Sequence, residues 1–155
     1  MKNAKEILLW SIALPGFGQL LNGKYVKGIT LILLEFLINV CGLVNEVIMY
    51  SFLGEIGKAI ETANYQWIMF YPCLYFFAMW DAYKDAGGGK KLFASLPFVF
   101  AAYTMTIGVI FSSKFTIFGV ILGPIWLPLL SIIPGVLIGY LLQMVLRNSQ
   151  VKSQT

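Results

Sequence analysis

Stretches free of charge divide the chain. Gly28–Asn45 is interrupted only by Glu35, Thr62–Trp80 is closed by Asp81, Leu92–Ser113 by Lys114, and Phe115–Leu146 by Arg147. A helix needs about 20 mostly apolar residues to cross a membrane. These windows therefore predict transmembrane helices over 28–45, 66–83, 92–112 and 116–146, with 46–65 as an outer connector. Ile7–Gly23 is also uncharged, but Pro15, Gly16, Gly18, Gln19, Asn22 and Gly23 interrupt it, so 7–22 reads as an interfacial or re-entrant helix. The expected fold class is all-α: a single membrane domain over 1–155, built as a polytopic bundle of about four transmembrane helices. The last window is the least regular. Its 32 residues would reach roughly 48 Å as one helix and hold Pro124, Pro128 and Pro134, so it is either one kinked span or two half-spans turning near Ser131–Gly135. Pro72 is expected to kink its span and open a small pocket beside Cys73.

Composition agrees with the windows. The chain is 59% hydrophobic and 12% charged, about half the charge of a soluble domain, so lipid must be the solvent for most of it. A nucleic-acid-binding reading of the basic balance is set aside. With no histidine, Ser-His and Cys-His nucleophiles, HExxH zinc sites and imidazole proton shuttles cannot be built. Two cysteines are too few for a structural zinc site. Cys41 and Cys73 fall at similar depths, so a disulfide is geometrically feasible, but buried thiols are expected to stay reduced.

The placement of the basic residues gives orientation. With four crossings, nine (Lys2, Lys5, Lys24, Lys27, Lys84, Lys90, Lys91, Arg147 and Lys152) lie on one side and two (Lys58 and Lys114) on the other. The positive-inside rule then predicts an inner-membrane protein with both termini cytoplasmic and anionic lipid at the inner leaflet. If 7–22 crossed, the division would be seven against four, and the remaining topology would stand. A cleaved signal peptide is the competing reading of the N-terminus, but its apolar core, Ile7–Leu14, is short and runs into Pro15. The connector, with Glu46, Glu55 and Glu61 against Lys58, is expected to form a short amphipathic helix. The abundance of lysine and isoleucine fits a low-GC bacterial source.

Several local patterns bear on chemistry. Pro15, Gly16, Gly18, Asn22 and Gly23 read as a structural turn, with Lys24 and Lys27 at lipid headgroups. The spacing Gly16-x-Gly18-x-x-x-x-Gly23-x-Tyr25-x-x-Gly28, entering a span, resembles the TM2-type hairpin of small multi-pass membrane proteins, with Asp81 of Trp80-Asp81-Ala82-Tyr83 matching its acidic position. The resemblance covers residues 7–85 and departs from the family in its long connector, Asn45–Gln66, and in two extra C-terminal spans. It implies a structural module and no shared reaction.

Glu35, about 10 Å into its span, begins a polar stripe with Asn39, Gly42 and Glu46. Glu35 and Asn39 form a candidate polar or ion site. The carboxylate reads either as a proton or cation ligand with an Asn39 oxygen, or as a structural acid bonded to Gln19 or Tyr75. Asp81 is expected to pair with Lys24 or Lys27 across the inner mouth. Asp81 with Asp85 lacks further ligands for a metal. Gly87–Lys90 departs from a phosphate-binding loop at Lys84 and Lys91, where glycine and Ser or Thr are required. The aromatic run Tyr65–Tyr83 reads as interfacial belts. Gly119-x-x-x-Gly123 and Gly135-x-x-x-Gly139 offer helix-packing surfaces. No catalytic, cofactor or metal residues are expected. The residues suit a non-enzymatic scaffold or accessory subunit with a membrane-protein partner or a second copy, and alternatively a small transporter or ion-conducting oligomer using Glu35.

Overall fold

The computed structural model describes residues 3–152. It is mostly helical, in the order α1 (Ala4–Ala13), α2 (Phe17–Leu21), α3 (Tyr25–Gly42), α4 (Val44–Phe52), α5 (Ile56–Thr62), α6 (Tyr65–Ile68), α7 (Tyr71–Asp85), α8 (Leu96–Phe111), a two-stranded hairpin of β1 (Thr116–Ile117) and β2 (Val120–Ile121), and α9 (Gly123–Lys152). Two helices are long and apolar enough to cross a membrane: Tyr25–Gly42 and Gly123–Gln150. The 16-residue α8 is apolar but shorter.

The N-terminal segment is a helical hairpin. Helix α1, capped by the Asn3 side chain on Lys5 N, ends where Pro15 cannot continue it. Gly16 then turns the chain at φ +100°, a conformation that strains any residue with a Cβ. Helix α2 returns alongside, and Gly18 lets it lie against Ser11 and Ile7 of α1 and against Ala82 of α7, because a Cβ there would overlap all three. Asn22–Gly23, with Gly23 at φ +76°, leads into α3. The expected turn residues thus separate. Pro15, Gly16, Asn22 and Gly23 lie at the two bends, whereas Gly18 is a helical packing residue.

Helices α8 and α9 form the largest interface and run antiparallel. Gly108 meets Pro128 and Ser131, Gly135 meets Phe100 and Ala101, and Gly139 meets Leu96 and Pro97. A Cβ on Gly139 would stand 2.5 Å from Pro97 Cα, so the two backbones are in direct contact. Gly135-x-x-x-Gly139 therefore serves packing within the chain. Helix α9 is continuous through Pro128 and Pro134, which excludes the two half-spans. The Ser131 hydroxyl donates to Leu127 O within that stretch.

Three expected boundaries and one expected kink differ in the structure. The last span does not begin at residue 116: Phe118 and Gly119, at φ +50° and +80°, make the two-residue turn that a β-hairpin requires, pairing Thr116 with Ile121. Gly119 and Gly123 are hence a turn residue and a helix entry, not one helix face. Helix α3 ends at Gly42, because Leu43 is left-handed (φ 56°) and the chain turns into α4, so Glu46 is not on the Glu35 face. Pro72 does not kink its helix. It occupies the first turn of α7, where its missing N–H is no loss, and the break lies ahead of it at Met69–Phe70. An apolar groove of about 580 Å³ does open beside Cys73, lined also by Leu34, Leu37, Trp67, Phe70 and Phe77. Helix α8 starts at Leu96 rather than 92, with Pro97 in its first turn and Phe93 left-handed ahead of it.

The connector is a cap. Helices α4 and α5 fold over the ends of α8 and α9, burying Val44, Val47 and Ala59 against Ile68, Val109 and Ile125. Trp126 Nε1 donates to Ser51 O at 3.1 Å and its ring lies 4.7 Å from that of Phe52. Both cysteines are free, Cys73 exposed.

The α8–α9 contact makes a stability prediction. Gly139→Val and Gly135→Val must push two backbones apart and should lower stability by about 1–3 kcal/mol each. Gly57→Ala, in open space on α5, should leave it unchanged or raise it by up to about 1 kcal/mol. Thermal unfolding in detergent followed by circular dichroism compares the three.

Candidate functional site

Helix α7 presents Tyr71, Tyr75, Ala78, Asp81 and Asp85 at spacings of three and four, so they share one face. The hairpin and α3 pack on that face and place all the polar contacts between them. At its charged end Lys27 Nζ donates to Asp81 Oδ1 at 2.7 Å and to Asp85 Oδ2 at 3.0 Å. One ammonium thus bridges both acids and ties the start of α3 to the end of α7. Lys24, the other expected partner, makes no ion pair among the described residues. It stands at the N-cap of α3 instead.

Next along the face is Gln19, fully buried on α2. Its Nε2 donates to Ala78 O at 2.9 Å and to Asp81 Oδ2 at 3.1 Å. Beside it Asn22 Nδ2 donates to Ala82 O at 2.8 Å. Two side-chain amides of the hairpin therefore hold the backbone of α7. Further along, the Tyr75 hydroxyl donates to Ile12 O, one of the carbonyls that α1 leaves unpaired where it stops. Ser11, on the same hairpin, is satisfied internally through Ile7 O.

Glu35 lies beyond the bend of the hairpin. It is only 7% exposed, and Tyr71 of α7 presents its hydroxyl to the carboxyl. The expected partners, Gln19 and Tyr75, are bonded elsewhere: Gln19 is held at Ala78 and Tyr75 at Ile12. Asn39 is not part of the Glu35 site: its Nδ2 donates to Asn45 Oδ1 at 3.1 Å, tying α3 to α4 across the Leu43 bend. Among the described residues, three buried side-chain oxygens have no hydrogen-bond partner: Glu35 Oε2, Gln19 Oε1 and Ser51 Oγ. The first two lie on this face and the third under the α4–α5 cap. No group of three or more acidic or sulfur side chains converges on a metal position among the described residues.

At the opposite end of the molecule, Lys58 bonds Glu55 one helical turn away at 2.7 Å, and that carboxylate holds its ammonium above the ordinary lysine range. The residue pattern anticipated the Lys27–Asp81 pair but not the contacts made by Gln19 and Tyr71. The available signal was the repetition of polar side chains on α7: Tyr71 with Tyr75, and Asp81 with Asp85, each four apart. No family model, curated protein or solved structure matches the chain.

The two kinds of contact should respond differently to salt. The Lys27 ammonium is 48% exposed, so Lys27→Ala should cost under about 1 kcal/mol and the loss should fade as salt rises. Gln19→Leu removes two buried hydrogen bonds and should cost about 2 kcal/mol at any salt concentration. Unfolding in detergent at low and high ionic strength measures both.

Proposed function

We propose that the chain is a four-span protein of the bacterial inner membrane, with both termini cytoplasmic, and that it acts as a non-catalytic scaffold or accessory subunit of a membrane complex. The observation that carries this reading is the use of its polar side chains. Lys27, Asp81, Asp85, Gln19 and Asn22 bond helix to helix, which is the work of a structural module. The TM2-type resemblance of residues 7–85 points the same way.

The four-span arrangement rests on charge and exposure. Lys24, Lys27, Lys84, Lys90, Lys91 and Arg147 belong to one end of the bundle, where Lys27 meets α7 and Gln143 donates to Leu92 O. Glu46, Glu55, Lys58, Glu61 and Lys114 belong to the other. Between them Leu33, Phe36, Tyr103, Leu137 and Leu141 are exposed, an apolar girdle that suits lipid. Helix α8 reaches about 24 Å, short of a hydrocarbon core of about 30 Å. Lys114 just beyond it can extend its stem to the headgroups. Helices α6 and α7, end to end, supply the remaining crossing. The hairpin α1–α2 enters from the lysine-rich end and returns to it.

A second reading is transport. It is favoured by the unpartnered Oε2 of Glu35.

Two measurements test the proposal. Cysteines introduced singly at Gly88 and Gly119, with Cys41 and Cys73 replaced by serine, should react with a membrane-impermeant maleimide from opposite sides, Gly119 from outside. Labelling of both from one side would overturn the topology. Purification in mild detergent should yield a stoichiometric complex with one defined membrane-protein partner, and the reconstituted protein should show no ion flux. A homo-oligomer whose proton or cation flux disappears in Glu35→Gln would replace the scaffold with a transporter.

A further inference from the structure

We propose that Glu35 is a reversible proton-binding site, filled from the lysine-rich end of the molecule along the seam between the α1–α2 hairpin and α7. This rests on the membrane reading of the chain but not on the scaffold role. Maleimide labelling tests the membrane reading separately, so the two can fail independently.

The seam has a mouth, a middle and an end. At the mouth are Lys27, Asp81 and Asp85, partly exposed to solvent. Gln19 follows, buried and bonded to Asp81. The Tyr75 hydroxyl comes next, on Ile12 O, and its ring stacks on that of Tyr71 at 5.8 Å between centroids. Tyr71 then reaches Glu35. From Asp81 to Tyr71 the rise along α7 is about 15 Å, so the polar face leads from the aqueous boundary to mid-membrane depth.

Two acceptor oxygens on this face lack donors among the described residues: Gln19 Oε1, in a side chain 0% exposed, and Glu35 Oε2, in one 7% exposed. An acceptor left bare in hydrocarbon costs several kcal/mol, and lipid supplies no donor. The donor must come from outside the chain, as water or as a proton carried by water, and the polar seam is the route that leads to both oxygens. A metal or alkali cation needs six or so oxygens around one point. Here the two bare oxygens are separated by the Tyr75 level, so the site suits a proton. The step is simple acid–base: the Glu35 carboxylate takes one proton at Oε2 and becomes the neutral acid, and no bond to carbon changes.

The groups that face Glu35 are few. Tyr71 and Tyr75 do so from α7. Helix α2 has no ionisable side chain. Tyr65 of α6 bonds Ser112 instead, and α4 meets α3 through Asn45 on Asn39. No basic side chain is therefore paired with the carboxylate among the described residues, and a proton is the neutralising partner the geometry leaves.

Infrared difference spectroscopy of the full-length protein in phosphatidylcholine vesicles tests the site. A protonated-carboxyl carbonyl band should be present in the wild type, absent in Glu35→Gln, lost as pH rises and restored on acidification. After a downward pH jump, Tyr75→Phe should slow the return of the band by about tenfold with the same end point. Gln19→Met is the second seam variant, and circular dichroism checks the fold of each. A band that does not move with pH while the protein stays folded would overturn the proposal. So would a band that responds to sodium or potassium at constant pH, which would make Glu35 a cation ligand. Wild-type rates in both seam variants would overturn the route.

Discussion

A polar atom shut away from water has to find its partner within the protein, and this requirement organises the first half of the chain. Helix α1 is stopped by Pro15, so it leaves carbonyls bare at its end. Tyr75 covers one of them. The return helix α2 then brings Gln19 and Asn22 against the α7 backbone. Each of these bonds is worth about 1 kcal/mol net. The penalty for leaving any of them unmade is larger, so the hairpin has one low-energy seat. Lys27 adds a charged clasp at the boundary where water can still reach it.

The second half of the chain is held by a different force. Helices α8 and α9 meet through glycine, proline, alanine and serine, with backbone against backbone. Small residues permit this close contact. The cap formed by α4 and α5 is held by the burial of Val44, Val47 and Ala59. Three regions of one small protein thus use hydrogen bonding, close packing and the hydrophobic effect in turn.

Glu35 stands within the first of these regions, where α3 meets the hairpin bend and α7. The hairpin bend touches α3 at Gly28 and Ile32, about two turns and one turn below it, and Tyr71 approaches from α7. Glu35 is buried without a basic partner, while the other acids on the same seam, Asp81 and Asp85, share Lys27. The difference is one of depth. A lysine at the boundary keeps its ammonium in water, whereas no basic residue of the described chain occurs at the level of Glu35.

Much was legible in the residue pattern. Apolar windows located the long helices, because a helix in lipid must be apolar over its length, and proline and glycine placed the bend of the hairpin, because they limit what the backbone can do. The interior ends of the elements were not legible. Leu43 and Phe118 adopt left-handed conformations that no local propensity favours, and they end α3 and form the β-turn. Sequence alone determined that this is an apolar, helical chain with few charges, since composition is a property of single residues. Tertiary structure alone decided that Gln19 meets Ala78, that Tyr71 rather than Tyr75 reaches Glu35, and that Asn39 turns to Asn45. Those pairings depend on the relative rotation and height of packed helices, which no single helix specifies.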